Sequence, residues 1–311
     1  MAVVAEAPGY MQVFSDGTVK RFSPPVVVAS LEFNKGYKSK DVVVDPLKPI
    51  TARIFLPNGD CLERLPVVVY FHGGGFCIGS TTWLGYHEFL GNISAKSRCI
   101  VVSIDYRLAP ENRLPIAYED CFSSLIWLSQ EIQTEEFLKE ADLFRVFLSG
   151  DSAGGNIAHH VALEVIQKGS THNLGMSVKG LLLIHPYFGS EKRTENEENN
   201  IAGSDMEMSE MFWRLSLPEG STRDHSACNF ETAKLADIRW DQFPAAVVFV
   251  AGLDSLKERG IMYAEFLKNK GVDVKLVEAE GESHVYQLFK PESEETHQHI
   301  LQMTEFIGNC N

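Results

Sequence analysis

The sequence predicts an α/β fold: a mostly parallel, eight-stranded sheet flanked by helices, with an N-terminal hairpin and an inserted helical segment. Three observations carry this. From Pro66 onward the apolar runs are continuous, as strands buried on both faces require. Segments with apolar residues at helical spacing separate those runs. One run, Val146, Phe147 and Leu148, feeds through Gly150-Asp151-Ser152-Ala153-Gly154 into a helical pattern of Ile157, Ala158, Val161, Ala162, Val165 and Ile166. A chain of 311 residues with ordinary apolar and charged fractions has core enough for one such domain with an insertion.

In chain order, residues 11–14 and 18–22 flank Ser15-Asp16-Gly17 and read as a hairpin that Pro24-Pro25 ends. Strand-like runs follow at 42–44, 51–56, 66–71, 100–105, 146–149, 181–185, 245–251 and 274–277. Helical spacing appears at 119–130, 153–168, 257–270 and 294–306, and Gly271 stands just past the third, where a left-handed residue ends a helix well. The stretch from His185 to Phe243 breaks the alternation, and a loop of that length usually has structure or function of its own. Its charged opening, 191–200, reads as a solvated surface loop, and the Trp-containing run 208–217 as a helix capping the sheet. The expected organisation is a single domain over 1–311, with a lid hairpin at 1–25 and a cap insertion at 190–235.

A formal charge of −14, from 28 basic and 42 acidic residues, argues against nucleic acid or an anionic membrane as partner. The N-terminus lacks the basic and apolar regions of a secretory signal, and no run is long enough for a membrane span, so a cytoplasmic protein with a small-molecule substrate is expected. Six cysteines lie far apart with no C-x-x-C, which suits free thiols and indicates no metal. No cofactor motif is present.

In G-x-S-x-G between a strand and a helix, the glycines permit a sharp turn that presents a serine hydroxyl, which makes Ser152 the candidate nucleophile. That hydroxyl needs a base, and the base needs a carboxylate to fix its tautomer. The chain order expected after such a turn is acid, then histidine, on loops beyond strand ends. Asp254 follows the run 245–251, with Glu258, Glu280 and Glu282 as competitors; His284 follows 274–277. Of the other histidines, His159 and His160 read as the polar side of a helix, His172 as a polar loop, His297 and His299 as an exposed final helix, and His185 as a core or rim hydrogen-bonding residue. Upstream, His72-Gly73-Gly74-Gly75 follows a buried strand, and its backbone N–H groups, with that of Ala153, suit an oxyanion. His72 reads as a brace for this loop and Cys77 as a core residue.

With these motifs the chain resembles the plant carboxylesterases of the hormone-sensitive lipase family over nearly its whole length. Asp16-Gly17-Thr18, the stretch 105–111 and 115–120 add to the likeness. Stretches 189–194, 212–218 and 223–225 are most similar to the branch containing a strigolactone-hydrolysing carboxylesterase. The resemblance implies an α/β-hydrolase fold, hydrolysis of small carboxylic esters, a Ser152, Asp254 and His284 triad, and oxyanion donors at Gly73, Gly74 and Ala153. A homodimer is compatible with it. One departure is His284-Val285-Tyr286, where many members read His-Gly-Phe. The family also includes gibberellin receptors lacking the histidine and a hydroxyisoflavanone dehydratase with Thr for the serine. A non-hydrolytic receptor, or a lyase or cyclase, is therefore the alternative, against which Ser152 and His284 argue.

Overall fold

Alternate side chains of the central strands enter two apolar layers, one on each side of a single sheet. The computed structural model describes residues 1–59, 63–172, 174–199, 206–232 and 238–310, so Cys61 and parts of the inserted segment lie outside the described residues. Strands β1 (Val3–Ala7), β2 (Met11–Phe14) and β3 (Val19–Arg21) form a small antiparallel sheet. The main sheet comprises β4 (Tyr37–Asp45), β5 (Ile50–Pro57), β6 (Leu65–Phe71), β7 (Ile100–Asp105), β8 (Ala141–Asp151), β9 (Val178–Ile184), β10 (Ala245–Ala251) and β11 (Val274–Ala279). Its order is β11-β10-β9-β8-β6-β7-β5-β4, parallel from β11 to β7 and antiparallel at β5 and β4.

The helices are α1 (Leu84–Ser97), α2 (Ile116–Glu131), α3 (Ala153–His172), α4 (Glu195–Asn199), α5 (Met206–Ser216), α6 (Lys257–Asn269), α7 (Tyr286–Phe289) and α8 (Glu294–Asn309). Val67, Val69 and Phe71 of β6 join the layer covered by α2, α3 and α6. Val68 and Tyr70, one residue out of phase, join the layer covered by α1 and α8. This period of two on a strand covered on both faces explains the unbroken apolar run.

Several expectations need correction. The N-terminal hairpin is a three-stranded sheet, because Val3–Ala7 adds to it. Helix α1 gave no sequence signal, since Gly85 and Gly91 lower its helical propensity. Both glycines serve close packing: a Cβ on Gly91 would run into the Tyr37 ring, and one on Gly85 into the Leu288 carbonyl. Helix α3 runs on to His172, which is not in a loop. His159 does not face solvent, and His160 is partly covered. His159 is fully buried, its Nδ1 2.8 Å from Tyr263 Oη, while His160 stacks on Tyr118 at 4.3 Å. Layers remote in sequence cover the face of α3 that looked polar. His299 is likewise buried, stacked on Phe249 at 4.1 Å. Burial drives the pKa of His160 down to about 4 and that of His299 down to about 3, so both are neutral at pH 7.

The charged opening of the insertion is not wholly solvated either. Glu197 and Arg259 pair at 2.7 and 2.8 Å with only 3% and 4% of their side chains exposed, and Arg259 also donates to the Lys192 carbonyl at 2.6 Å. This buried pair ties α4 to α6. Glu197→Gln leaves the guanidinium buried without its counter-charge, so unfolding in urea should show a loss of about 3–5 kcal/mol. A loss below about 1 kcal/mol would mean that water reaches the arginine.

Candidate active site

Ser152 stands between the end of β8 and the start of α3 with φ of 53°, a left-handed backbone that is uncommon outside glycine. Its N–H donates to the Ile184 carbonyl at 2.8 Å, and its carbonyl accepts from Tyr187 N–H at 2.9 Å, which locks the turn against the end of β9. Gly150 and Gly154 serve this turn by lacking a Cβ: one on Gly154 would overlap the Phe71 carbonyl oxygen, and one on Gly150 the backbone of Gly154. The strained residue is thus the serine, and the glycines provide room for it.

Asp254, just beyond β10, is 3% exposed and accepts Leu256 N–H at 2.9 Å through Oδ1. His284, beyond β11, donates its Nδ1–H to Asp254 Oδ2 at 2.6 Å. This assigns the proton to Nδ1 and leaves Nε2 as the basic nitrogen. Two of the three competing acids are engaged elsewhere: Glu282 with Lys290 Nζ at 2.8 Å and Glu258 with Asn196 N–H at 2.8 Å. Burial alone would lower the His284 pKa, but the Asp254 charge and hydrogen bond, with a smaller contribution from Asp151, raise it above the usual value. Burial tends to raise that of Asp254, and the facing His284 and the Leu256 N–H hold it below the ordinary carboxylate range.

His185 directly follows β9, 2% exposed, with its ring 5.7 Å from that of His284. Its Nδ1 accepts Val285 N–H at 2.9 Å, which anchors the loop carrying His284. Val285 has φ of 47°, a left-handed conformation costly for a β-branched residue and easily adopted by glycine. Because Ser152 bonds to Ile184, which His185 follows, these contacts bring nucleophile and base candidates to one rim of the sheet. Ser152 Oγ and His284 share no hydrogen bond among the described residues, a looseness common before substrate binds. His185, Asp254 and His284 offer metal-ligand atoms within 4.8 Å of one another, but the hydrogen bonds to Val285 and between Asp254 and His284 already use both Nδ1 atoms.

The glycine loop requires one correction. Gly73 N–H donates to Tyr86 Oη at 2.9 Å and to Asp151 Oδ1 at 3.1 Å, so it is not available to an oxyanion. The N–H groups of Gly74, Gly75 and Ala153 have no backbone or side-chain acceptor among the described residues. Gly74 and Gly75 have φ of 103° and 58°, and the Gly74 carbonyl accepts from Cys77 and Ile78, both at 3.0 Å, closing the turn. His72 stacks on Tyr106 at 4.4 Å and donates Nδ1–H to the Gly73 carbonyl at 2.8 Å, bracing the loop. Cys77 is fully buried, and burial pushes its thiol pKa far up, as suits a core residue.

Sequence reasoning missed two contributors. Tyr70 and Tyr86 carried no motif and gave no signal. Phe212 of α5 packs so closely on Gly75 that a Cβ there would overlap its ring. It belongs to a satellite apolar cluster joining Ala7, Met11 and Val13 of the N-terminal sheet to Cys77, Ile78 and Met211. Arg21 clamps the same junction, donating to the carbonyls of Cys77 and Ala109, each at 2.7 Å.

The family model for the alpha/beta hydrolase fold matches residues 68–288. A probable carboxylesterase 6 of Arabidopsis thaliana is 39% identical over 92% of this chain and 85% of its own length. Tuliposide A-converting enzyme 1 of Tulipa gesneriana, a chloroplastic protein, is 36% identical over 92% of this chain and 73% of its own. An esterase structure from Pyrobaculum calidifontis superposes with a TM-score of 0.72 at 30% identity, covering 87% of this chain and 84% of that one. No helix among the described residues is long and apolar enough to cross a membrane. Sheet order, serine turn and relatives agree: the chain belongs to the α/β-hydrolase family, among its plant-type carboxylesterases.

Proposed function

We propose that the chain is a serine carboxylesterase for small esters. The observation that carries this is the 2.6 Å Asp254–His284 pair on the same rim as the left-handed Ser152. His284 Nε2 takes the Ser152 Oγ proton as Oγ bonds to the ester carbonyl carbon, and Asp254 stabilises the imidazolium. Gly74, Gly75 and Ala153 N–H groups hold the oxyanion. The carbon–oxygen bond to the alcohol then breaks as Nε2–H protonates the leaving oxygen, and water repeats the sequence to release the acid. A stoichiometric burst of p-nitrophenol from p-nitrophenyl acetate, followed by steady turnover, would mark the acyl-enzyme. Tight binding of small molecules without turnover would favour the receptor reading instead.

The segments 1–25 and 190–235 are proposed as the lid and cap. Phe212 on Gly75, with Trp213 stacked on Tyr187 at 4.3 Å, supports a short acyl pocket. Phe212→Ala should raise the kcat/KM ratio of p-nitrophenyl octanoate to acetate by about tenfold. An unchanged ratio would remove Phe212 from the pocket wall. A hormone lactone such as a strigolactone is the finer substrate proposal, supported by the similarity in 189–194, 212–218 and 223–225; a screen of acetate esters, longer esters and lactones tests it. The five described cysteines are free thiols, which suits a reducing compartment such as the cytoplasm.

A further inference from the structure

A buried carboxylate held in no salt bridge has to be compensated by hydrogen bonds, and among the described residues Asp151 is such a group. It precedes the nucleophile candidate in the chain, ends β8 and is 1% exposed. Its Oδ1 accepts the Tyr70 hydroxyl at 2.7 Å and Gly73 N–H at 3.1 Å; its Oδ2 accepts the Tyr86 hydroxyl at 3.0 Å. Tyr86 Oη in turn accepts Gly73 N–H at 2.9 Å. Each hydroxyl has one proton to give, and Tyr86, which accepts from Gly73, gives its own to the carboxylate. Every neighbour is thus a donor, the arrangement an ionised carboxylate wants.

We propose that Asp151 is a positioning residue for the hydrolytic reaction: with Tyr86 it pins Gly73 N–H, so that the next two N–H groups, Gly74 and Gly75, face the oxygen of the carbonyl that Ser152 attacks. The inference rests on the serine-esterase reading above. Three observations support it. A Cβ on Gly73 would collide with the Asp151 carboxylate, so the loop sits directly on it. The loop's own bonds, from Cys77 and Ile78 to Gly74 and from His72 to Gly73, fix its internal shape but not its distance from the elbow. The bond from Gly73 to Asp151, the neighbour of Ser152, spans the two parts of the proposed oxyanion hole. A hole assembled from two segments far apart in sequence works only if their separation is held, and a misplacement of about 1 Å can cost about 10² in rate.

The test compares Asp151→Asn, Tyr86→Phe and Tyr70→Phe with p-nitrophenyl acetate as substrate and a trifluoromethyl ketone as probe, since the ketone adds to the serine and forms a tetrahedral oxyanion. In Asp151→Asn, kcat should fall by about 10² with KM changed less than about threefold, and ketone affinity should fall in step with kcat/KM. Tyr86→Phe should fall by about tenfold in the same pattern. Tyr70→Phe should lose less, because its hydroxyl reaches Asp151 and not Gly73. Folded Asp151→Asn with wild-type kcat and ketone affinity would overturn the proposal. So would a larger loss in Tyr70→Phe than in Tyr86→Phe, which would place the effect in support of the carboxylate alone. Should Asp151→Asn not fold, the two tyrosine variants decide. Failure of the esterase reading is separate: it would show as activity that survives Ser152→Ala.

Discussion

Ser152→Ala should abolish turnover of p-nitrophenyl acetate, with kcat reduced by about 10⁴–10⁶. The size follows from the way the proposed triad acts. Asp254 and His284 prepare a base whose Nε2 has one partner to deprotonate, and without Oγ there is no bond for the carbonyl carbon to form. Residual rate comes from the N–H groups of Gly74, Gly75 and Ala153, which still stabilise an oxyanion raised by attacking water. Alanine fits the site, since Ser152 Oγ makes no hydrogen bond on which the turn depends; the turn is held by the backbone bonds to Ile184 and Tyr187. The variant should therefore keep the melting temperature of the parent within a few degrees. Retention of more than about a tenth of the activity would exclude Ser152 as nucleophile.

Much of this arrangement was legible in the sequence because it is encoded locally. The serine turn declares itself through Gly150 and Gly154, and the order of acid and histidine after it led to Asp254 and His284, which meet in the structure. The strands from β6 onward are legible for the same reason: burial on both faces writes itself as a continuous apolar run. What failed depended on contacts between distant segments. Nothing in three consecutive glycines says which N–H is free, and only Tyr86 and Asp151, folded beneath the loop, show that Gly73 is occupied. His159, His160 and His299 look like solvent-facing residues on amphipathic helices until other layers cover them. Helix α1 was hidden by glycines whose purpose, contact with Tyr37 and Leu288, exists only in three dimensions. Glu197 read as one of many surface charges because its partner, Arg259, lies in a later helix.

His284→Ala should be about as damaging as Ser152→Ala, because a serine without its base is no longer activated. Asp254→Asn should cost about 10⁴ at most, since an amide leaves the imidazole in place but favours the wrong tautomer. The wild-type pH profile offers a finer check. His284 works as a base only when Nε2 is unprotonated, so kcat/KM must fall as pH drops through its pKa. Burial pulls that pKa down, but the 2.6 Å contact with Asp254 and the nearby Asp151 charge outweigh it, so the acid limb should bend above about 6.5, the value of a free imidazole. Removing either carboxylate's charge takes away a stabiliser of the imidazolium. The residual activity of Asp254→Asn should therefore bend at lower pH than the parent. A rate that is flat from pH 5 to 8 in folded wild-type protein, or an unshifted bend in Asp254→Asn, would mean that the titrating base is not His284. Were Glu282→Gln more damaging than Asp254→Asn, the acid would have to be reassigned to the residue now paired with Lys290.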